Sequence, residues 1–208
     1  AIYINGSGIN SNGKTITGVA AGVNDTDAVN KLQLDNTVDE SMKYFKTNST
    51  GDEANAGGMD AIAIGSGAIS EGIQSVSVGM KASAEGENSL ALGYGALSVD
   101  ADGIAVGNTS AAHKSGAIAV GKNSNSNGEK SVAIGDSANA QGDNGLAVGS
   151  SSSVAGSNGT ALGYSASASG SGATAVGNAS AAYGDGAAAF GNSASAGGDN
   201  SAALGNYS

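Results

Sequence analysis

The chain has 208 residues, with 18 acidic side chains against 8 Lys and Arg and a formal net charge of -10. That balance argues against nucleic acid or an anionic membrane surface as partner, since both repel an acidic protein. Cysteine and proline are absent, which excludes disulfides and thiolate metal sites and suits a fold whose backbone N–H groups are committed to strand ladders.

Leu, Ile, Val and Phe total 34 of 208 residues, a share that by itself suggests disorder. Their placement argues for order. From Ala61 onward there are 23, and 18 of them stand one or three positions before a glycine of a fixed series described below. No signal peptide and no apolar run of membrane-spanning length is seen. The start at Ala1 and the stop just past a repeat glycine suggest a piece of something longer.

Residues 1–22 alternate small polar and apolar side chains. Ile2 and Ile4, then Ile16 and Val19, predict short strands around a Gly/Asn/Ser turn. Gly8-Ile9-Asn10-Ser11-Asn12-Gly13-Lys14-Thr15 satisfies G-x-x-x-x-G-K-[ST], but a phosphate loop needs a helix after it. Thr15-Ile16-Thr17-Gly18-Val19 is β-like and broken by glycine, so a polar turn is the reading.

From about Asp27 to Lys46 the period becomes helical. Asp25 or Thr26 can cap, and Asp27 suits a first turn. Leu34, Val38, Met42 and Phe45 form one narrow stripe, which predicts a short parallel coiled coil because the chain offers no other helix to cover it. Residues 48–58 read as a connector.

Ile16-Thr17-Gly18-Val19-Ala20, Gly22 and Asp27-Ala28-Val29-Asn30-Lys31-Leu32-Gln33-Leu34 resemble the neck motif of trimeric autotransporter adhesins, with Gly18 where that family commonly has Asn. In the family, the neck joins a wide β-rich head to a narrow triple coiled coil.

Gly65 is followed every 14 residues by a glycine as far as Gly205, eleven in all. A fixed short period marks a solenoid of stacked units. Each unit holds two extended pieces, as in Val132-Ala133-Ile134 and Ala138-Asn139-Ala140. A second glycine recurs seven residues on (Gly72, Gly86, Gly128, Gly142, Gly156, Gly170, Gly184, Gly198), replaced by Asp100 and Lys114 in two turns. Glycine at both corners predicts positive φ at both.

Period 2 then assigns the faces. The central residue of the first piece is always Ala or Ser, as are most flanks of the second, so the interior is a thin seam of small side chains. The large flanks of the first piece must point outward: Ile62, Ile64, Val76, Val78, Leu90, Leu92, Ile104, Val106, Ile118, Val120, Val132, Ile134, Leu146, Val148, Leu162, Val176, Phe190 and Leu204. So long an apolar stripe is not left wet, and a seam of alanine alone hardly stabilises a fold. The stripe, with Leu34, Val38, Met42 and Phe45, is therefore expected to be a subunit interface. The number of copies does not follow from the pattern.

Asn88-Ser89-Leu90-Ala91-Leu92-Gly93 and Lys130-Ser131-Val132-Ala133-Ile134-Gly135 resemble the YadA-like head repeat of the same adhesins, over residues 60–208. The resemblance implies an all-β, left-handed parallel β-roll assembled as a homotrimer. It also implies a bacterial cell-surface adhesin fragment attaching to host matrix or cell-surface proteins, or to other bacterial cells. The anchor in the outer membrane of a Gram-negative bacterium would lie outside this fragment. The alternative is a structural spacer in a longer surface fibre.

Rival solenoids fit less well. Hexapeptide-repeat acyltransferases have periods that are multiples of six, and the lone His113 has no evident orienting partner. Calcium-loaded β-rolls need aspartates in register, and ice-binding solenoids need ladders of threonine. No enzyme activity, catalytic residue, metal or cofactor is expected. The ligand site is unknown, with Ile69, Ile73, Leu97 and Val99 the first place to look for an apolar ligand. The expected organisation is a neck-like segment (1–30), a short trimeric coiled coil and connector (31–50), and the head (51–208).

Overall fold

The computed structural model of the chain describes residues 3–5, 8–11, 13–41 and 50–208. It divides into two compact units, Ala1–Asn48 and Ser49–Ser208.

In the first unit β1 (Tyr3–Asn5) pairs antiparallel with β2 (Gly8–Asn10). No strand forms in residues 13–30, so the expected strands at Ile16 and Val19 are absent. Gly13 and Gly18 both sit at φ +77 and interrupt the extended run. The phosphate-loop pattern thus lies on a strand and a turn closed by Lys14 N–H to Ser11 O at 3.0 Å.

The helix α1 (Lys31–Ser41) starts four residues later than Asp27. The reason is a competing local structure. The Asp27 carboxylate accepts the N–H groups of Val23 and Asn24, each at 2.9 Å, and folds the chain into a turn. Asn30 then caps the helix. Its Oδ1 accepts the Gln33 N–H at 2.9 Å, and Gln33 Oε1 accepts the Asn30 N–H at 3.4 Å. This is a capping box in reciprocal form. Met42 and Phe45, expected on the same stripe, lie outside the described residues.

The second unit is a parallel β-solenoid. Three-residue strands from Ile62–Ile64 to Ala202–Leu204 form one eleven-stranded wall. Two-residue strands from Asn55–Ala56 to Ser195–Ala196 form the other. Each strand pairs with the one 14 residues on, as in Val132↔Leu146 and Asn139↔Ser153. The sequence period is therefore the register itself, and every column of the turn stacks identical positions about 4.8 Å apart.

The interior is the thin seam expected. Ala91, Ala105, Ala119, Ala133 and Ala147 on the first wall, and Ala84, Ala112, Ala140 and Ala168 on the second, have no exposed area. Buried serines are mostly absorbed by corner carbonyls: Ser75 and Ser131 donate to Gly72 O and Gly128 O at 2.7 Å, and Ser152 to Gly149 O at 2.8 Å. Each alanine contributes little burial, so the inter-turn ladder carries much of the order in a single chain.

The first corner behaves as the sequence predicts, with the repeat glycines at φ from 117 to 139. The second does not. Gly72, Gly86, Gly128, Gly142 and their successors are not at positive φ, and from Gly72 to Gly184 the glycines of this corner stand where a Cβ would crowd a carbonyl of the next turn. A Cβ on Gly142 would stand 2.2 Å from the carbonyl oxygen of Gly156 in the next turn. The left-handed residue at this corner comes two positions later. It is Asn144 (φ 56), Asn158 (φ 58) and Asn200 (φ 54), with Asp60, Gln74, Asp102 or Lys130 in other turns. Asparagine and aspartate tolerate this region better than most. Nothing in the structure explains why Asp100 and Lys114 are accepted in the glycine column.

Candidate functional site

The outer face of the first wall carries two columns of side chains. One begins Ile62, Val76, Leu90, Ile104, Ile118, Val132 and Leu146, and passes to Thr160, Thr174, Ala188 and Ala202. The other runs Ile64, Val78, Leu92, Val106, Val120, Ile134, Val148, Leu162, Val176, Phe190 and Leu204. No charged residue interrupts either column. Ladder pairing holds them in register over ten intervals, or roughly 48 Å. In the single chain none is buried; Ile62 is 50% exposed and Phe190 41%. The predicted head positions are thus brought together as one surface. Leu34 and Val38, one helical turn apart on α1, are 56% and 51% exposed.

The second wall is different in kind. Its outward positions run Ile69, Ser83, Leu97, Ala111, Asn125, Asn139, Ser153, Ser167, Ala181 and Ser195. Ile69 and Ile73 are exposed, whereas Leu97 and Val99 are half-buried. His113 is also half-buried and makes no hydrogen bond through its ring among the described residues. Among the described residues no group of three or more His, Asp or Glu is placed to hold a metal ion.

Polar side chains at the corners bridge consecutive turns. Asp143 Oδ1 accepts the Glu129 N–H at 2.8 Å, Asp185 the Ser171 N–H at 2.8 Å, and Asp199 the Asp185 N–H at 3.0 Å. Asn123 accepts a hydrogen bond from the Thr109 hydroxyl. These acids have a structural task.

In the first unit the Gln33 carboxamide clamps the chain at Gly22, accepting its N–H at 2.7 Å and donating to its C=O at 2.9 Å. Asn30 Nδ2 donates to Val19 O at 3.1 Å. Both residues that cap α1 therefore also fasten the segment before it, leaving an open groove lined by Ile16, Val19, Ala28 and Val29. The backbone N–H groups of Asn24 and then Val23 hold the Asp27 carboxyl below the ordinary aspartate range.

A family model described as the YadA head domain repeat (2 copies) matches residues 49–68, 70–96, 101–124, 126–152, 155–180 and 182–208. A second, described as the coiled stalk of trimeric autotransporter adhesin, matches residues 15–57. The chain belongs to the trimeric autotransporter adhesins. No curated protein matches it closely enough to be called a relative. The head matches fall on the solenoid of this adhesin, and the stalk match takes in the Gly22 clamp, the capping box and α1.

Two functional features escaped the sequence reading. The Asn30-x-x-Gln33 capping signal was present, but Asp25 and Thr26 offered an earlier cap. The Gly22 clamp spans eleven residues and has no local signature.

Proposed function

We propose that this adhesin chain forms a homotrimer in which the apolar columns of three first walls face one another, and that the second walls, turned outward, make the attachment. The observation that carries this is the pair of charge-free apolar columns on the outside of a roll whose inside is alanine and serine. An apolar surface of that length on a protein with net charge -10 is stabilised by burial against its own copies. Leu34 and Val38 would continue the association as a short coiled coil, with Met42 and Phe45 on the same heptad stripe. On this reading residues 1–30 are the neck, 31–50 the coiled coil and connector, and 51–208 the head.

The activity proposed is adhesion without catalysis, at the surface of a Gram-negative bacterium, to host matrix or cell-surface proteins or to other bacterial cells. Repetition favours many weak contacts, whose avidity grows with the number engaged. The test is solution mass by light scattering on the wild type and on the double variant Val120→Asp, Ile134→Asp. A trimeric wild type reduced to monomer by the variant supports the reading. A well-folded monomeric wild type sinks it.

A further inference from the structure

The outer face of the second wall presents two side chains per turn, the first strand residue and the residue two positions later. From Leu97 to Gly197 these positions hold no Asp, Glu, Lys or Arg. Within this neutral strip, two adjacent turns concentrate four carboxamides: Asn125 and Asn127, then Asn139 and Gln141. His113 stands one turn before them.

None of these four side chains makes a hydrogen bond among the described residues. Corner carboxamides behave otherwise, as Asn88 Nδ2 to Asp102 Oδ1 and Asn144 Nδ2 to Asn158 Oδ1 show, both at 3.4 Å. Moreover, Asn125 Oδ1 and Asn139 Oδ1 each keep less than 1 Å² of exposed area and have no partner. A covered acceptor without a donor is costly. Turning either amide about χ2 opens its oxygen to a donor from outside, solvent in the free protein and a ligand hydroxyl in a complex. The backbone beneath is fixed, since Asn125, Asn127, Asn139 and Gln141 donate to Ala138, Ala140, Ser152 and Val154 carbonyls at 2.7 to 2.9 Å.

We propose that Asn125, Asn127, Asn139 and Gln141 form a binding surface for a neutral, hydroxyl-rich glycan. A carboxamide both donates and accepts, so a close array of four matches the mixed character of sugar hydroxyls. Sulfated or carboxylated sugars meet an acidic chain and no cation within the patch. A polypeptide adding as a strand finds no free backbone edge, because these N–H groups are already engaged in the ladder. The proposal rests on the reading that the second wall faces outward in the trimer.

The experiment passes the 208-residue chain, its mass checked by light scattering in the same buffer, over immobilised oligosaccharides. The set comprises N-acetylglucosamine oligomers and mannose- and galactose-terminated chains, with sulfated and sialylated counterparts. Retention on a neutral oligosaccharide but not on its anionic counterpart is expected. The triple variant Asn125→Ala, Asn139→Ala, Gln141→Ala should weaken it about tenfold or more, the loss expected for two or three hydrogen bonds. The single Asn127→Asp should weaken it as well, and Ser153→Ala with Ser167→Ala should not. No neutral retention by a trimeric wild type overturns the proposal. So does a triple variant that binds like wild type, or equal retention on anionic chains. So too does a triple variant that only lowers the thermal transition, which would make the carboxamides an internal ladder. A monomer that binds the neutral glycan overturns the trimer reading alone.

Discussion

Val154 Cγ1 lies 2.7 Å from the point where a Cβ on Gly159 would stand, and 3.0 Å from the corresponding point on Gly145. Among the described residues Val154 is the largest side chain without exposed area, in a column that otherwise holds Ala or Ser. The column facing it holds Ala or Ser in most turns and Gly on both sides of Val154. Ser98 and Gly103 repeat the relationship, with Ser98 Oγ 2.4 Å from the Gly103 Cβ point. At these places a glycine in one column makes room for the side chain opposite.

Gly159→Ala is therefore expected to destabilise the solenoid by about 1–3 kcal/mol through overpacking against a stiff valine. Combined with Val154→Ala, the same substitution should cost much less than the sum of the two alone. Urea unfolding of the four proteins measures the coupling; additive effects would mean that the seam relaxes freely.

Gly142→Ala and Gly172→Ala separate room from conformation. The first forces a Cβ to 2.2 Å from a carbonyl oxygen, while the second meets nothing within 4 Å but sits at φ +66. Gly172→Ala should cost about 1–2 kcal/mol. Gly142→Ala should cost more and raise amide exchange in turns 128–156. Equal effects would contradict the steric account of the second corner.

Gln33→Ala removes the clamp on Gly22 and half of the capping box. Loss of roughly 1–2 kcal/mol of local stability is expected, read as lower helical circular dichroism and faster proteolysis within residues 16–30. Gln33→Glu keeps an acceptor for the Gly22 and Asn30 N–H groups but loses the donor to Gly22 O, and should fall between.

Asp27 gives a pH dependence of defined sign. Its carboxyl is held below the ordinary aspartate value, so the turn it makes is fully present above the unfolded pKa and is lost as pH falls through the folded one. The Val23 and Asn24 amide resonances should hold still from neutral pH down to about 4 and move toward unfolded positions below it. Asp27→Asn should weaken the turn at neutral pH and flatten the response.

What the sequence revealed and what it hid divide by the range of the interaction. The interior seam and the outward columns are written at period 2 within each strand, and their stacking at period 14, so Ala133 inside and Val132 outside could be read directly. The second corner misled because glycine has two uses. Gly142 is demanded by a carbonyl 14 residues away, whereas the left-handed position fell to Asn144. The helix start failed for the opposite reason: Asp27 had a nearer use in folding the turn at Val23 and Asn24. The carboxamide patch was visible as letters, but that Asn125 and Asn139 lack partners is a property of packing.

The parallel ladder has a mechanical consequence. Bonds such as Gly149 N–H to Ile134 O and Gln141 N–H to Val154 O, both 2.8 Å, point from one turn to the next, along the direction in which the turns stack. Tension applied in that direction loads all the bonds between two turns together, and every junction bears the same force as the one before it. The roll thus has the strength of its weakest junction, and adding turns adds reach without adding tensile strength.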